Sequence, residues 1–283
     1  MKKTIITTAL MALTLFMNVQ AQERIELDLW QEGLPNSNGI EKDGYDDEKL
    51  NFKPSITAHI IKDASAPTRC VVIYPGGGYH HLAMDHEGHD WAPYFRNLGI
   101  ATVVLKYRMP HGHLEVPQSD AYEAIRQVKL HAREWNINPD DIGIMGFSAG
   151  GHLASTVATH ASDDLRPAFQ ILIYPVITSD PEFTHQGSMD NLLGKNPSKQ
   201  LLELYSNELQ VTAKTPRAFL GLADDDKTVP PMNSTRYYSA LKSAGVPSSL
   251  HIYPTGGHGF GIYESFKYHI ELLQDLKSWL QSF

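Results

Sequence analysis

An α/β architecture, with a mostly parallel central sheet and helices on both faces, is what this sequence predicts, on three observations. Short β-rich apolar runs alternate with longer amphipathic patterns over most of the chain. Two of those runs, 70–74 and 101–105, are apolar almost throughout, Thr102 being the one exception, the mark of strands covered on both faces. Polar, glycine-containing loops recur where several of the runs end.

The strands expected from these runs are Ile56–Ile61, Cys70–Tyr74, Ala101–Tyr107, Ile142–Met145, Phe169–Tyr174, Phe219–Ala223 and Leu250–Tyr253. Helices are expected over 119–135, 148–160, 232–244 and 264–280, where apolar residues recur with a helical period. Residues 22–55 are polar and turn-rich and read as a leader lying over the domain surface. Pro175–Pro216 is far longer than an ordinary connection between strands and carries one helical piece near 199–207. A partial lid is the expectation, since long loops in compact domains usually serve function.

The N-terminus reads as an address. Met1-Lys2-Lys3 is a basic start, Thr4–Met17 is apolar and uncharged, and Asn18-Val19-Gln20-Ala21 offers small residues to a signal peptidase. A signal peptide over 1–21 is therefore expected, leaving a single domain over 22–283 and a periplasmic or secreted product. The apolar run is short for a membrane span, and no later segment approaches one.

Composition narrows the chemistry. The 283 residues are 42% hydrophobic and carry a net charge of −8, falling to −10 once Lys2 and Lys3 are removed. An acidic surface disfavours nucleic acid as a partner, and nothing points to an obligate protein partner. The single cysteine, Cys70, excludes an internal disulfide, a thiolate zinc cluster and an iron–sulfur site.

Gly146-Phe147-Ser148-Ala149-Gly150 follows an expected strand and opens an expected helix. A serine in a G-x-S-x-G turn of that kind is exposed at a sheet edge, beside helix N–H groups that can face an oxyanion. Upstream, Gly76-Gly77-Gly78 ends another strand and can fold with its N–H groups turned into a cleft. No G-x-G-x-x-G or Walker lysine follows, so a nucleotide cofactor is not expected. A serine nucleophile needs a base, and the base a carboxylate. The run Asp224-Asp225-Asp226 follows one strand, and His258 sits in a glycine-rich loop after the last. Both loops fall on the serine's edge of the sheet, in the order serine, aspartate, histidine.

These motifs, with Pro75-Gly76-Gly77-Gly78-Tyr79, Lys106-Tyr107-Arg108, Asp226-Lys227-Thr228-Val229-Pro230 and Gly256-Gly257-His258-Gly259-Phe260, resemble those of the α/β-hydrolase esterases. Within that family the chain looks like the small secreted carbohydrate esterases of polysaccharide-degrading bacteria, the acetyl xylan and feruloyl esterases. The resemblance covers roughly residues 50–283. It implies the α/β-hydrolase fold, no cofactor, and a triad of Ser148, His258 and Asp226, the spacing to Val229-Pro230 selecting the third aspartate of the run. It also implies oxyanion donors at the N–H groups of Gly77, Gly78 and Ala149. Pro75 departs from the related lipase-like branch, which has a histidine there that props the loop rather than reacting.

Competing readings fare less well. The segment Tyr79–Asp90 is dense in histidine, but His86-Glu87-Gly88-His89 lacks zincin spacing, so no metal is expected. Met84, Trp91 and Tyr94 read as core or cleft wall, and His111 and His113 as solvated. A peptidase of the prolyl-oligopeptidase type would normally bring a propeller domain that this chain has no room for. The expected substrate is an acylated carbohydrate or other small ester, with acetyl groups on xylan or its oligosaccharides first, and feruloyl or generic short-chain esters as alternatives. Tyr79, His81 and His185 are the residues expected to meet sugar hydroxyls at the cleft rim.

Overall fold

The computed structural model describes residues 22–283; the signal peptide expected over 1–21 lies outside the described residues. The strands are β1 (Gln22–Asp28), β2 (Ser55–Ile61), β3 (Thr68–Tyr74), β4 (Ala101–Lys106), β5 (Ile137–Phe147), β6 (Phe169–Ile173), β7 (Arg217–Ala223) and β8 (Ser248–Tyr253). They form one 8-stranded sheet in the order β1-β2-β4-β3-β5-β6-β7-β8. From β4 to β8 all neighbours run parallel, whereas β1–β2 and β2–β4 pair antiparallel.

The helices are α1 (Ala92–Asn97), α2 (Glu115–His131), α3 (Ser148–His160), α4 (Gln186–Leu193), α5 (Lys199–Leu204), α6 (Met232–Ser243) and α7 (His269–Leu280). Side chains alternate across the central strands, as the two-residue period requires. On one face Cys70, Val72, Ile142 and Ile144 pack against α2, α3 and α6; on the other Val71, Ile73, Met145 and Phe147 meet α1 and α7. Among the described residues, no helix is long and apolar enough to cross a membrane.

One expectation needs correction. Residues 22–28 are not surface leader but an edge strand, registered from Gln22 opposite Ile61 to Asp28 opposite Ser55. Ile25 and Leu27 lean on the core while Arg24, Glu26 and Asp28 stay exposed, so the strand is polar because one of its faces is wet. β2 runs antiparallel to both of its neighbours, within the expected, mostly parallel sheet.

The segment after β1 is tied down by one buried cation. Arg108, two residues past β4, is 0% exposed; its guanidinium reaches Asp120 of α2 at 2.7 Å, the Asn36 carbonyl at 2.8 Å and Glu41 at 3.2 Å. Trp30 Nε1 donates to the same Asp120 at 2.8 Å. Removing one partner of a buried pair leaves an uncompensated charge in a low-dielectric interior. Asp120→Asn is expected to cost about 3 kcal/mol of stability in urea unfolding, and a loss below about 1 kcal/mol would show that water reaches the pair.

Candidate active site

The polypeptide crosses from β5 into α3 without a loop, and the crossing residue is Ser148, held at φ +50°. A non-glycine residue in the left-handed region is strained, and here the strain lifts the hydroxyl out of the turn. The turn closes because α3 lies directly on β3: a Cβ at Gly150 would sit 2.1 Å from the Tyr74 carbonyl oxygen. The parallel register brings the carboxyl ends of β3, β5, β6, β7 and β8 to one edge, where the remaining site residues gather.

Ser148, His258 and Asp226 come together as one hydrogen-bonded chain. His258 Nε2 lies 2.8 Å from Ser148 Oγ, and Nδ1 lies 2.6 Å from Asp226 Oδ2. The other carboxylate oxygen, Oδ1, accepts the N–H groups of Thr228 and Val229, each at 2.9 Å. Asp226 is 4% exposed and so is fixed in place, leaving one oxygen for the imidazole. The histidine Nδ1–H donates to that oxygen, and the tautomer presents Nε2 as an acceptor to the serine. Asp225 is exposed and holds backbone instead. Its Oδ1 accepts the N–H groups of Gly256 and Gly257, each at 2.8 Å, stapling the histidine loop to the aspartate loop.

The loop after β3 faces the same serine. Gly77 takes φ +131°, and a Cβ there would collide with the His81 carbonyl oxygen at 2.1 Å. Among the described residues, the N–H groups of Gly77 and Gly78 donate to no protein acceptor. The Ala149 N–H belongs to the first turn of α3, where helix geometry supplies no internal acceptor. Tyr107 O–H donates to the Pro75 carbonyl at 2.7 Å and Asn191 Nδ2 to the Gly78 carbonyl at 2.8 Å, so the loop is gripped on both sides of its glycines.

The cleft in front of Ser148 has a volume of about 430 Å³, and His81, His86, His185 and Asn191 are among its lining residues. His185 caps α4, its Nδ1 accepting from the Ser188 N–H at 3.3 Å and lying 2.7 Å from the Ser188 hydroxyl. Nε2 therefore carries the ring proton and is the nitrogen left to donate into the cleft. Burial, with His258 nearby, pushes the His185 pKa down, which keeps the ring neutral. His81 is exposed at the opening.

Tyr79 departs from the expected place at the rim. It is 2% exposed, behind the glycine loop, with its ring edge-on to Tyr107 and its hydroxyl 3.0 Å from His152 Nδ1. His152 Nε2 lies 2.9 Å from the Tyr205 carbonyl, an obligate acceptor, so Nδ1 must accept from Tyr79. A buried partner in α3 has drawn the tyrosine inward. The histidine-rich segment is dispersed in the same way: His86 stacks on Tyr263 and His89 sits against His59, while Trp91 is core.

Three residues around the site escape a reading of the sequence alone. Asn191 gives no signal inside an insertion of unknown course. Glu87 draws notice only through metal spacing, although an acid followed by glycine, shortly beyond the Gly76–Gly78 loop, is a signal that could mark its support. Tyr174 ends β6 on the serine's edge, and that position is the signal by which it could be found.

Comparisons with known proteins bear on the family. The chain is 40% identical over its whole length to an acetylxylan esterase of Xylanibacter ruminicola, and 32% identical over 85% of its length to an endo-1,4-beta-xylanase B of Butyrivibrio fibrisolvens. It spans 55% and 38% of those two proteins. An acetyl ester-xyloside bifunctional hydrolase from Caldicellulosiruptor lactoaceticus superposes with a TM-score of 0.79 at 39% identity, covering 91% of this chain and 96% of that one. With residues 71–262 matching the family directly, the chain belongs to the α/β hydrolase fold family.

Proposed function

We propose that this chain is an exported serine esterase that removes acetyl groups from xylan or xylan-derived oligosaccharides. The observation that carries the chemistry is the continuous hydrogen-bonded chain from Ser148 Oγ through His258 to Asp226, beside two glycine N–H groups that donate to no acceptor among the described residues. Ser148 Oγ attacks the ester carbonyl as His258 Nε2 takes its proton, and Asp226 stabilises the imidazolium. The Gly77, Gly78 and Ala149 N–H groups receive the oxyanion. His258 returns the proton to the departing sugar oxygen. It then activates the water that releases acetate from the acyl-enzyme.

The acetyl-xylan reading is supported by the names borne by the relatives, an acetylxylan esterase and an acetyl ester-xyloside hydrolase. The neutral His185 donor and the exposed His81 suit sugar hydroxyls. The acidic surface repels strongly anionic polymers but not a neutral, acetylated one. Export is supported by the basic-then-apolar leader of residues 1–21.

Ser148→Ala is expected to lower turnover of p-nitrophenyl acetate by about 10⁴-fold or more with the fold intact; rates near wild type would rule out the serine mechanism. Asp226→Asn is expected to cost about 10⁴-fold, because an amide favours the tautomer that cannot take the serine proton. Asp225→Asn keeps an oxygen for the Gly256 and Gly257 N–H groups and is expected to cost less than about tenfold. The reverse ranking would move the acid by one residue. For the substrate, acetate release from acetylated xylooligosaccharides is compared with ferulate release from methyl ferulate at equal enzyme. Acetate release at high kcat/KM with negligible ferulate is expected; efficient ferulate release would overturn the acetyl assignment.

A further inference from the structure

Glu87 is 4% exposed, and both of its carboxylate oxygens are engaged by different parts of the chain. Oε2 accepts the Gly76 N–H at 2.8 Å, one residue before the oxyanion glycines. Oε1 accepts the Tyr174 O–H at 2.8 Å. The Tyr174 oxygen in turn accepts the Gly261 N–H at 2.7 Å, three residues beyond the histidine. The Tyr174 ring lies 4.7 Å from the His258 ring and 4.6 Å from Phe260, centroid to centroid. A backbone link runs alongside, from the Ile262 N–H to the His86 carbonyl at 3.1 Å.

Tyr174 reaches this place at a cost in conformation. It sits at φ +38° at the end of β6, in the region a side chain ordinarily avoids, and its N–H is held by the Gly221 carbonyl at 2.8 Å. Strain of this kind persists only where the surroundings over-determine it, and it concentrates at functional sites. A buried carboxylate used on both oxygens, joined to a strained tyrosine that lies against the proposed base, is more than packing needs.

We propose that Glu87 and Tyr174 form a clamp that fixes the oxyanion loop relative to the His258 loop, which makes both of them positioning residues for acyl transfer at Ser148. The inference rests on the serine reading above. Neither residue needs to touch substrate. Glu87 acts through Gly76 on the direction of the Gly77 and Gly78 N–H groups, and Tyr174 acts through Gly261 and ring contact on His258. Such a clamp matters most when the tetrahedral oxyanion forms, because those N–H groups must lie where charge develops rather than where the ground-state carbonyl sits.

The test uses Glu87→Gln, Tyr174→Phe and the double variant, each assayed with p-nitrophenyl acetate and with phenylboronic acid, which forms a tetrahedral adduct on an active serine. Each single variant is expected to lose about 10- to 100-fold in kcat with KM within about threefold, the size of one hydrogen bond to a charged group. The boronate Ki is expected to rise by a comparable factor, which a merely structural role would not produce in a folded enzyme. The double variant is expected to lose no more than the worse single, since both act through one link. If Glu87→Gln does not fold, Tyr174→Phe, which removes only a hydroxyl, carries the test alone. Folded Tyr174→Phe with kcat within about twofold of wild type and an unchanged boronate Ki would overturn the clamp, as would multiplicative losses in the double variant. Failure of the boronate to inhibit the wild-type enzyme would instead remove the serine reading, and the clamp with it.

Discussion

Everything at the site depends on how closely α3 crosses the strands beneath it. The helix begins on the residue after β5 with no intervening loop, and its first eleven residues are buried. Only glycine and alanine at the contact let it descend that far; Gly150, Ala154 and Ala158 lie on that stretch. The close crossing forces Ser148 into the left-handed region and points the open N-terminal turn at the same space as the serine oxygen. Were the helix raised by the width of a methyl group, the hydroxyl and the Ala149 N–H would no longer converge.

Around that fixed point the loops of four strands and the 175–216 insertion are cross-linked rather than left to settle. Tyr107 holds Pro75, Asn191 holds Gly78 and Asp225 holds the glycines before His258. The insertion is itself moored: Asn207 Nδ2 reaches Ser155 Oγ of α3 at 2.7 Å, and Asn233 Nδ2 reaches the Phe183 carbonyl at 2.7 Å. Single hydrogen bonds of this kind contribute only about 1 kcal/mol each. Their effect is to remove alternatives, so that these loops hold one arrangement around Ser148.

The sheet's parallel core, the serine turn and the residues that join Ser148 in one hydrogen-bonded chain are legible because each rests on local chemistry: apolar runs, glycines at a crossing, a histidine among glycines. What stays hidden is set by partners distant in sequence. β1 reads as a polar leader because an edge strand with one wet face shows only Ile25 and Leu27 as apolar signal. Tyr79 reads as a rim residue because nothing beside it announces His152, seventy-three positions away. Asp226 is separable from Asp225 in the sequence only by resemblance; in the fold the two carboxylates are told apart by burial and by which backbone N–H groups they accept.

The histidine that holds Tyr79 also ties the fold to acidity. His152 is fully buried between a donor and a carbonyl, and burial drives its pKa from 6.5 down to about 4. The unfolded chain therefore takes up a proton near pH 6.5 that the native chain refuses until near pH 4. Above that window the residue is neutral in both states and exerts no pull. Within it every fall in pH favours unfolding, by up to roughly 3 kcal/mol in total. A side chain that steadies the back of the Gly76–Gly78 loop thereby limits how acid a medium the fold can tolerate.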